Sequence, residues 1–162
     1  MTIRPGRVVA VVGPGDDASD EVCSLARQVG RLLAGRGAVV VTGGLGGVMA
    51  AAAQGARDGG GLVIGLLPGA DRGSGNEHLT VAIPTGLGQA RNAVIVRAAD
   101  GLVAVGGGWG TLSEVALARR AALPVVWLWG WQVRDADGGL VEVLGAESPE
   151  DAVAQLAAAL RW

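Results

Sequence analysis

An open α/β sheet, doubly wound, mainly parallel and covered by helices on both faces, is the architecture this sequence predicts, and two patterns predict it. Short Val-rich runs recur at 7–12, 38–42, 62–67, 101–105 and 125–129, each with glycine close behind. They lack the polar–apolar alternation of a half-exposed strand, as parallel strands buried on both faces do. Helical periodicity fills the intervals, so strand and helix alternate and right-handed crossovers give three layers. Ligands of such sheets bind beyond the carboxyl ends of the strands.

The first strand runs into Gly13-Pro14-Gly15-Asp16-Asp17-Ala18, and Val22, Leu25, Val29 and Leu32 then share one face of a helix that holds Cys23 as a small core residue. The second strand ends in Gly43 to Gly47 and an alanine-rich helix. After the third, residues 69–79 are polar and glycine-rich and suit either a mobile loop at the carboxyl edge or an ordinary solvated connection. That segment leaves open whether Asn76 and His78 close over a ligand. A helix over 87–99 leads to the fourth strand, and a helix patterned by Leu112, Val115 and Ala116 follows it. Trp127, Trp129 and Trp131 alternate, so one face of the 125–129 strand carries all three, either in the core or at an edge buried in an oligomer. Asp137-Gly138-Gly139 marks a turn and 141–144 an edge strand. Ser148-Pro149-Glu150-Asp151 starts a last helix with Val153, Leu156 and Leu160 on one side. No composition break divides the chain, and residues 1–162 are expected to form one domain.

Composition removes whole classes of chemistry. With 162 residues, 50% of them hydrophobic, and a mean hydropathy of +0.42, the chain is too apolar for intrinsic disorder and promises a sizeable core. All 13 basic residues are Arg, so a pyridoxal Schiff base and a P-loop lysine are both excluded. One Cys and one His cannot assemble a disulfide or a Cys/His zinc site, and no metal or cofactor is expected. The net charge is −2, the pI is near 5.3, and Phe and Tyr are absent, which argues against a polynucleotide partner. No apolar run approaches the ~20 residues of a membrane span and no leader pattern opens the chain, so a cytoplasmic protein with small-molecule partners is expected.

Three glycine loops compete for a ligand. The first fits the spacing of a dinucleotide fingerprint, but the second strand ends Val41-Thr42-Gly43-Gly44 without the acid that would hold a ribose, and Asp16 and Asp17 would repel a pyrophosphate. A tight turn is the better reading. The second loop, with Gly43 and Gly44, suits ligand contact and close packing equally. It is echoed by the third, Gly106-Gly107-Gly108-Trp109-Gly110-Thr111-Leu112-Ser113-Glu114, where Glu114 stands in the place of Ala50. Glycines directly after a buried strand offer amides at a helix N-terminus, the arrangement that holds a phosphate, and Thr111 adds a hydroxyl. Taken alone, Thr111 and Glu114 read better as a capping box. Arg91 shifts that balance. It sits early in the preceding helix, Glu114 falls in the first turn of the next, and topology sets both beside one cleft.

Gly88-Gln89-Ala90-Arg91-Asn92 followed by Gly107 to Glu114 resembles the LOG ("lonely guy") family, with a looser likeness from the first strand to about Gly130. The resemblance implies a Rossmann-like fold, usually dimeric or higher, and cleavage of the N-glycosidic bond of a nucleoside 5'-monophosphate to a free base and ribose 5-phosphate. By position it makes Arg91 and Glu114 the catalytic pair and gives the nucleotide phosphate to Gly107, Gly108, Gly110 and Thr111; Gly43, Gly44 and Asn92 are further candidates for nucleotide contact on this sequence's own pattern. The chemistry is coherent, since a carboxylate stabilises an oxocarbenium-like transition state and an arginine neutralises phosphate or the departing base. Asn92 and Gly106 replace the family's lysine and proline. Those departures resemble a small bacterial branch, akin also to molybdenum cofactor carriers, which bind a phosphorylated pterin without turnover. A non-enzymatic carrier or sensor is therefore the alternative expectation.

Overall fold

The computed structural model describes residues 6–141 and 143–162. Seven strands form one sheet: β1 (Val8–Val12), β2 (Val39–Thr42), β3 (Leu62–Leu67), β4 (Val81–Pro84), β5 (Gly101–Val105), β6 (Val125–Leu128) and β7 (Leu144–Ala146). Their order is β4-β3-β2-β1-β5-β6-β7 and every pair is parallel. Five helices connect them: α1 (Asp20–Gly35), α2 (Val48–Asp58), α3 (Arg91–Ala98), α4 (Trp109–Arg120) and α5 (Pro149–Ala159). The expected three-layer, doubly wound fold is present, and none of these helices is long and apolar enough to cross a membrane.

Strand residues alternate between two cores because the pleat sends successive side chains to opposite faces. Val9, Val11, Val40, Val63, Val103 and Val105 meet α1, α2 and α5, while Ala10, Val12, Val41, Leu102 and Ala104 meet α3 and α4. Helix α1 buries Val22, Ala26, Val29 and Leu33, a one-face stripe. Ser19 caps it by accepting from Val22 N, and Asp20 and Glu21 in its first turn complement the dipole. It runs against α2 at near-contact of backbones, where a methyl added to Gly30 would lie 2.1 Å from the Ala52 carbonyl oxygen. Large side chains fit neither helix there.

Three expectations need correction, and one strand goes beyond them. Residues 81–84 form a strand that apolar patterning does not mark, short and at the sheet edge, where Pro84 costs no ladder bond. The edge strand near the end lies at Leu144–Ala146 rather than 141–144; Glu142, inside the expected span, lies outside the described residues. The helix expected over 87–99 opens as a 3-10 turn, Gly88–Ala90, and becomes α-helical only at Arg91. Finally, the three tryptophans do not share a face. The strand stops at Leu128, Trp129 takes φ 58°, and Trp127 alone is buried in the core of a strand that is interior to the sheet.

Candidate functional site

Glycine loops 13–15, 43–47 and 106–108 leave the carboxyl ends of β1, β2 and β5, three strands adjacent in the order β2-β1-β5, and therefore meet on one rim. The sheet changes direction there, since β2 and β3 extend one way from β1 while β5 and β6 extend the other. The first loop is a packing turn, as expected. A methyl on Gly13 would strike the Val105 carbonyl oxygen at 2.5 Å, and Pro14 O accepts from Val48 N at 3.0 Å. Helix α1 begins with its own Ser19 cap and two acids, which leaves no place for a pyrophosphate.

At the third loop, Gly106 adopts φ 72° and Gly108 caps α4 with no side-chain hydrogen bond. The capping box is thereby overturned. The helix starts at Trp109, two residues before Thr111, so Thr111 lies within the first turn and Glu114 in the second rather than the first. Leu112 N donates to Gly108 O at 2.8 Å, but among the described residues no main-chain carbonyl takes the amides that open α4. Thr111 is buried and its Oγ1 has no hydrogen-bond partner. An orphaned hydroxyl beneath free amides is costly unless something else satisfies it.

Arg91 and Glu114 come to the same place, both only 7% exposed. The Arg91 Nη1 donates to Gly43 O at 2.5 Å and to Leu66 O at 2.7 Å, while its Nε is buried without a partner. Burial lowers the guanidinium's pKa and the neighbouring Glu114 opposes that shift. Burial pushes the Glu114 carboxyl from its ordinary 4.5 up to about 8, against the pull of Arg91. At neutral pH the acid is therefore mostly protonated. The two groups sense each other's charge yet close no direct ion pair; among the described residues the ion pairs are Arg7–Asp100 and Arg27–Asp58. Asn92, also buried, donates to Ser113 Oγ at 3.2 Å, and Ser113 in turn donates to Gly110 O. Asn92 thus ties α3 to the start of α4.

The second loop is held from several sides. A methyl on Gly43 would collide with Arg91 Nη1 at 2.2 Å, and Gly44, at φ 75°, lies against Leu67. Asn76 N donates to Gly44 O and Asn76 Nδ2 to Leu45 O, so the 69–79 segment is pinned to this loop rather than free of it. His78 points its backbone N–H to Asn76 Oδ1 and is half-buried. Trp109 stands 80% exposed, edge-on to Trp131 with ring centroids 5.3 Å apart. Trp131 presses on Gly107, where a methyl would lie 2.1 Å from its Nε1. Sequence reasoning missed this contact, for which the only signal was the repeated tryptophan after β6.

Sheet order, glycine rim and the paired acid and guanidinium define a Rossmann-like protein of the superfamily that unites LOG proteins and molybdenum cofactor carriers. More narrowly, the chain belongs to the SLOG cluster4 family, whose model matches residues 6–156. It is similar to the molybdenum cofactor binding protein of the phototrophic bacterium Rippkaea orientalis, at 36% identity and TM-score 0.87 over 98% of this chain and 99% of that one. The molybdenum cofactor carrier protein of Chlamydomonas reinhardtii is 34% identical, with TM-score 0.85 over 97% and 99% of the two chains. An uncharacterized protein of Archaeoglobus fulgidus is 44% identical over 112 residues, 69% of this chain and 73% of that one.

Proposed function

We propose that this protein binds a phosphorylated heterocycle and carries it without turnover, with the molybdenum cofactor as the leading cargo. The ester's anionic oxygens would sit on the amides of Gly107, Gly108 and Gly110 with the Thr111 hydroxyl beneath them, at the positive end of α4. The observation that carries this reading is the buried, unpartnered Thr111 Oγ1, a group whose cost an anionic ligand would remove. Two solved relatives that bind or carry molybdenum cofactor support the choice of cargo. Arg91 supports a carrier more than an enzyme, because its Nη1 is spent on two main-chain carbonyls. In this reading Arg91 shapes the rim by holding Gly43 and Gly44 in place, and Asn92 steadies the amides through Ser113.

Native mass spectrometry of protein purified without added ligand, with calorimetry against ribose 5-phosphate and nucleoside monophosphates, tests the reading. A retained phosphorylated heterocycle or measurable ester binding is expected, and failure to bind any of them rejects it. One observation favours the phosphoribohydrolase reading as well: Glu114, protonated at neutral pH, has the form of a general acid for a departing base. Release of free base and ribose 5-phosphate from a nucleoside monophosphate, lost in Glu114→Gln, would establish that activity. The proposal extends to one cytoplasmic domain over residues 1–162 that self-associates as a homodimer or larger. The exposed Leu87, Val94 and Trp109 flanking α3 and α4 support association, and light scattering measures it.

A further inference from the structure

Beside the glycine rim, where Trp131 packs on Gly107, lies a cavity of about 760 Å³. Trp127, Trp129 and Trp131 line it together with Leu140 and Val141, and Gln132 and Glu147 are its polar groups. Its size falls in the roughly 300–1,000 Å³ range of small-molecule pockets and exceeds what a lone ammonium group would fill. The backbone goes to some length to present these indoles. Trp129 is held at φ 58°, a left-handed conformation that bulky side chains rarely take, and stands 56% exposed. The turn then lays Gly130 flat on the Trp127 ring, where a methyl would lie 2.2 Å from its Cγ, and swings Trp131 onto Gly107. Trp127 is fixed from behind by its Nε1–H donated to Gly106 O at 2.6 Å. Glu147 uses its backbone N–H on Asp151 at 3.1 Å, and among the described residues neither its carboxylate nor the Gln132 amide hydrogen-bonds to the protein.

We propose that this cavity is a ring-binding site for a planar nitrogen heterocycle, stacked on the indoles of Trp129 and Trp131 and offering N–H donors to the Glu147 carboxylate. Flat π-systems stack on indole faces with little dependence on identity, and a carboxylate selects rings that carry N–H groups on one edge. Trp131 joins the two sites, since it packs on Gly107 and also lines the cavity. The choice of a heterocycle rests on the phosphorylated-heterocycle reading above; the cavity itself does not.

Calorimetry with guanosine and pterin, which have a ring and no phosphate, and with ribose 5-phosphate, which has a phosphate and no ring, tests the assignment on the full chain. At least one of the two ring compounds is expected to bind. Trp129→Ala should weaken it about tenfold or more, the usual scale for losing one stacking partner. Gly145→Leu should abolish it by filling the cavity, since Gly145 lines the cavity and a methyl there meets nothing within 4 Å. Both variants should leave ribose 5-phosphate affinity as in the parent, whereas Thr111→Val should do the reverse. Absence of binding by both ring compounds, or ring affinities within twofold of the parent in Trp129→Ala and Gly145→Leu, overturns the site. Failure of ribose 5-phosphate alone to bind counts against the glycine-rim reading and leaves the ring site standing.

Discussion

The guanidinium of Arg91 lies directly on the backbone of Gly43, its Nη1 donating to that residue's carbonyl oxygen at 2.5 Å while a methyl on Gly43 would stand 2.2 Å from the same nitrogen. Glycine and arginine are thus matched in shape as well as in hydrogen bonding, and α3 is fastened to the ends of β2 and β3.

Arg91→Met should destabilise the protein by about 2–4 kcal/mol, because the Gly43 and Leu66 carbonyls both lose their buried donor. Gly43→Ala should cost about 1–3 kcal/mol by overpacking against the guanidinium. Urea unfolding measures both. A purely catalytic Arg91 would leave the midpoint where it is.

Glu114 links stability to pH. Its folded pKa of about 8 lies above its ordinary 4.5, so the folded state favours the protonated acid. The resulting stabilisation is complete below pH 4.5 and is lost progressively as pH rises through 8. Glu114→Gln should flatten the stability profile across that window and be the more stable protein above pH 8, by on the order of a few kcal/mol. Ester affinity should fall in the same alkaline range for the parent, as a new negative charge appears beside the anion, and hold steadier in the variant. Thermal melts and calorimetry over pH 5 to 9 check both.

Thr111→Val separates ligand binding from folding. The hydroxyl it removes is buried and unpartnered, so stability should stay level or rise by up to about 1 kcal/mol. Affinity for ribose 5-phosphate should drop about tenfold, the loss of one hydrogen bond to a charged group. A stability loss above about 2 kcal/mol with unchanged affinity would assign Thr111 to packing instead.

Gly107→Ala should displace Trp131 and break its edge-on contact with Trp109, since the new methyl would overlap the indole nitrogen. The near-ultraviolet circular dichroism of the tryptophans should change while the far-ultraviolet spectrum does not, at a cost of about 1 kcal/mol. An unchanged aromatic spectrum would show that the ring is not seated there.

Much of the fold was legible because its signals are local. Val-rich strands such as Val8–Val12 and the α1 stripe of Val22, Ala26, Val29 and Leu33 follow directly from apolar patterning. Strand β4 escaped because its four residues are partly exposed and end in proline, so neither burial nor length marks them. The joint placement of Arg91 and Glu114 was legible from topology alone, since both helices begin at one rim. Their environments were not. A guanidinium turned onto two carbonyls and an acid held neutral both depend on burial by residues far away in the chain, Gly43 and Leu66 among them. The capping box failed for a related reason: helix α4 starts at Trp109, where glycine alone supplies the cap. The tryptophan alternation misled because a left-handed residue at 129 breaks the period.

The clamp between α3 and the ends of β2 and β3 also bears on how the protein acquires its cleft. Gly43 and Leu66 come from the early chain, whereas Thr111 and Glu114 come from beyond β5, which is added on the opposite flank of β1. Neither portion holds a complete cradle. A nascent or fragmented chain ending before the fifth strand would be blind to ligand, and occupancy of the rim would report that both wings of the sheet have assembled around their central strand.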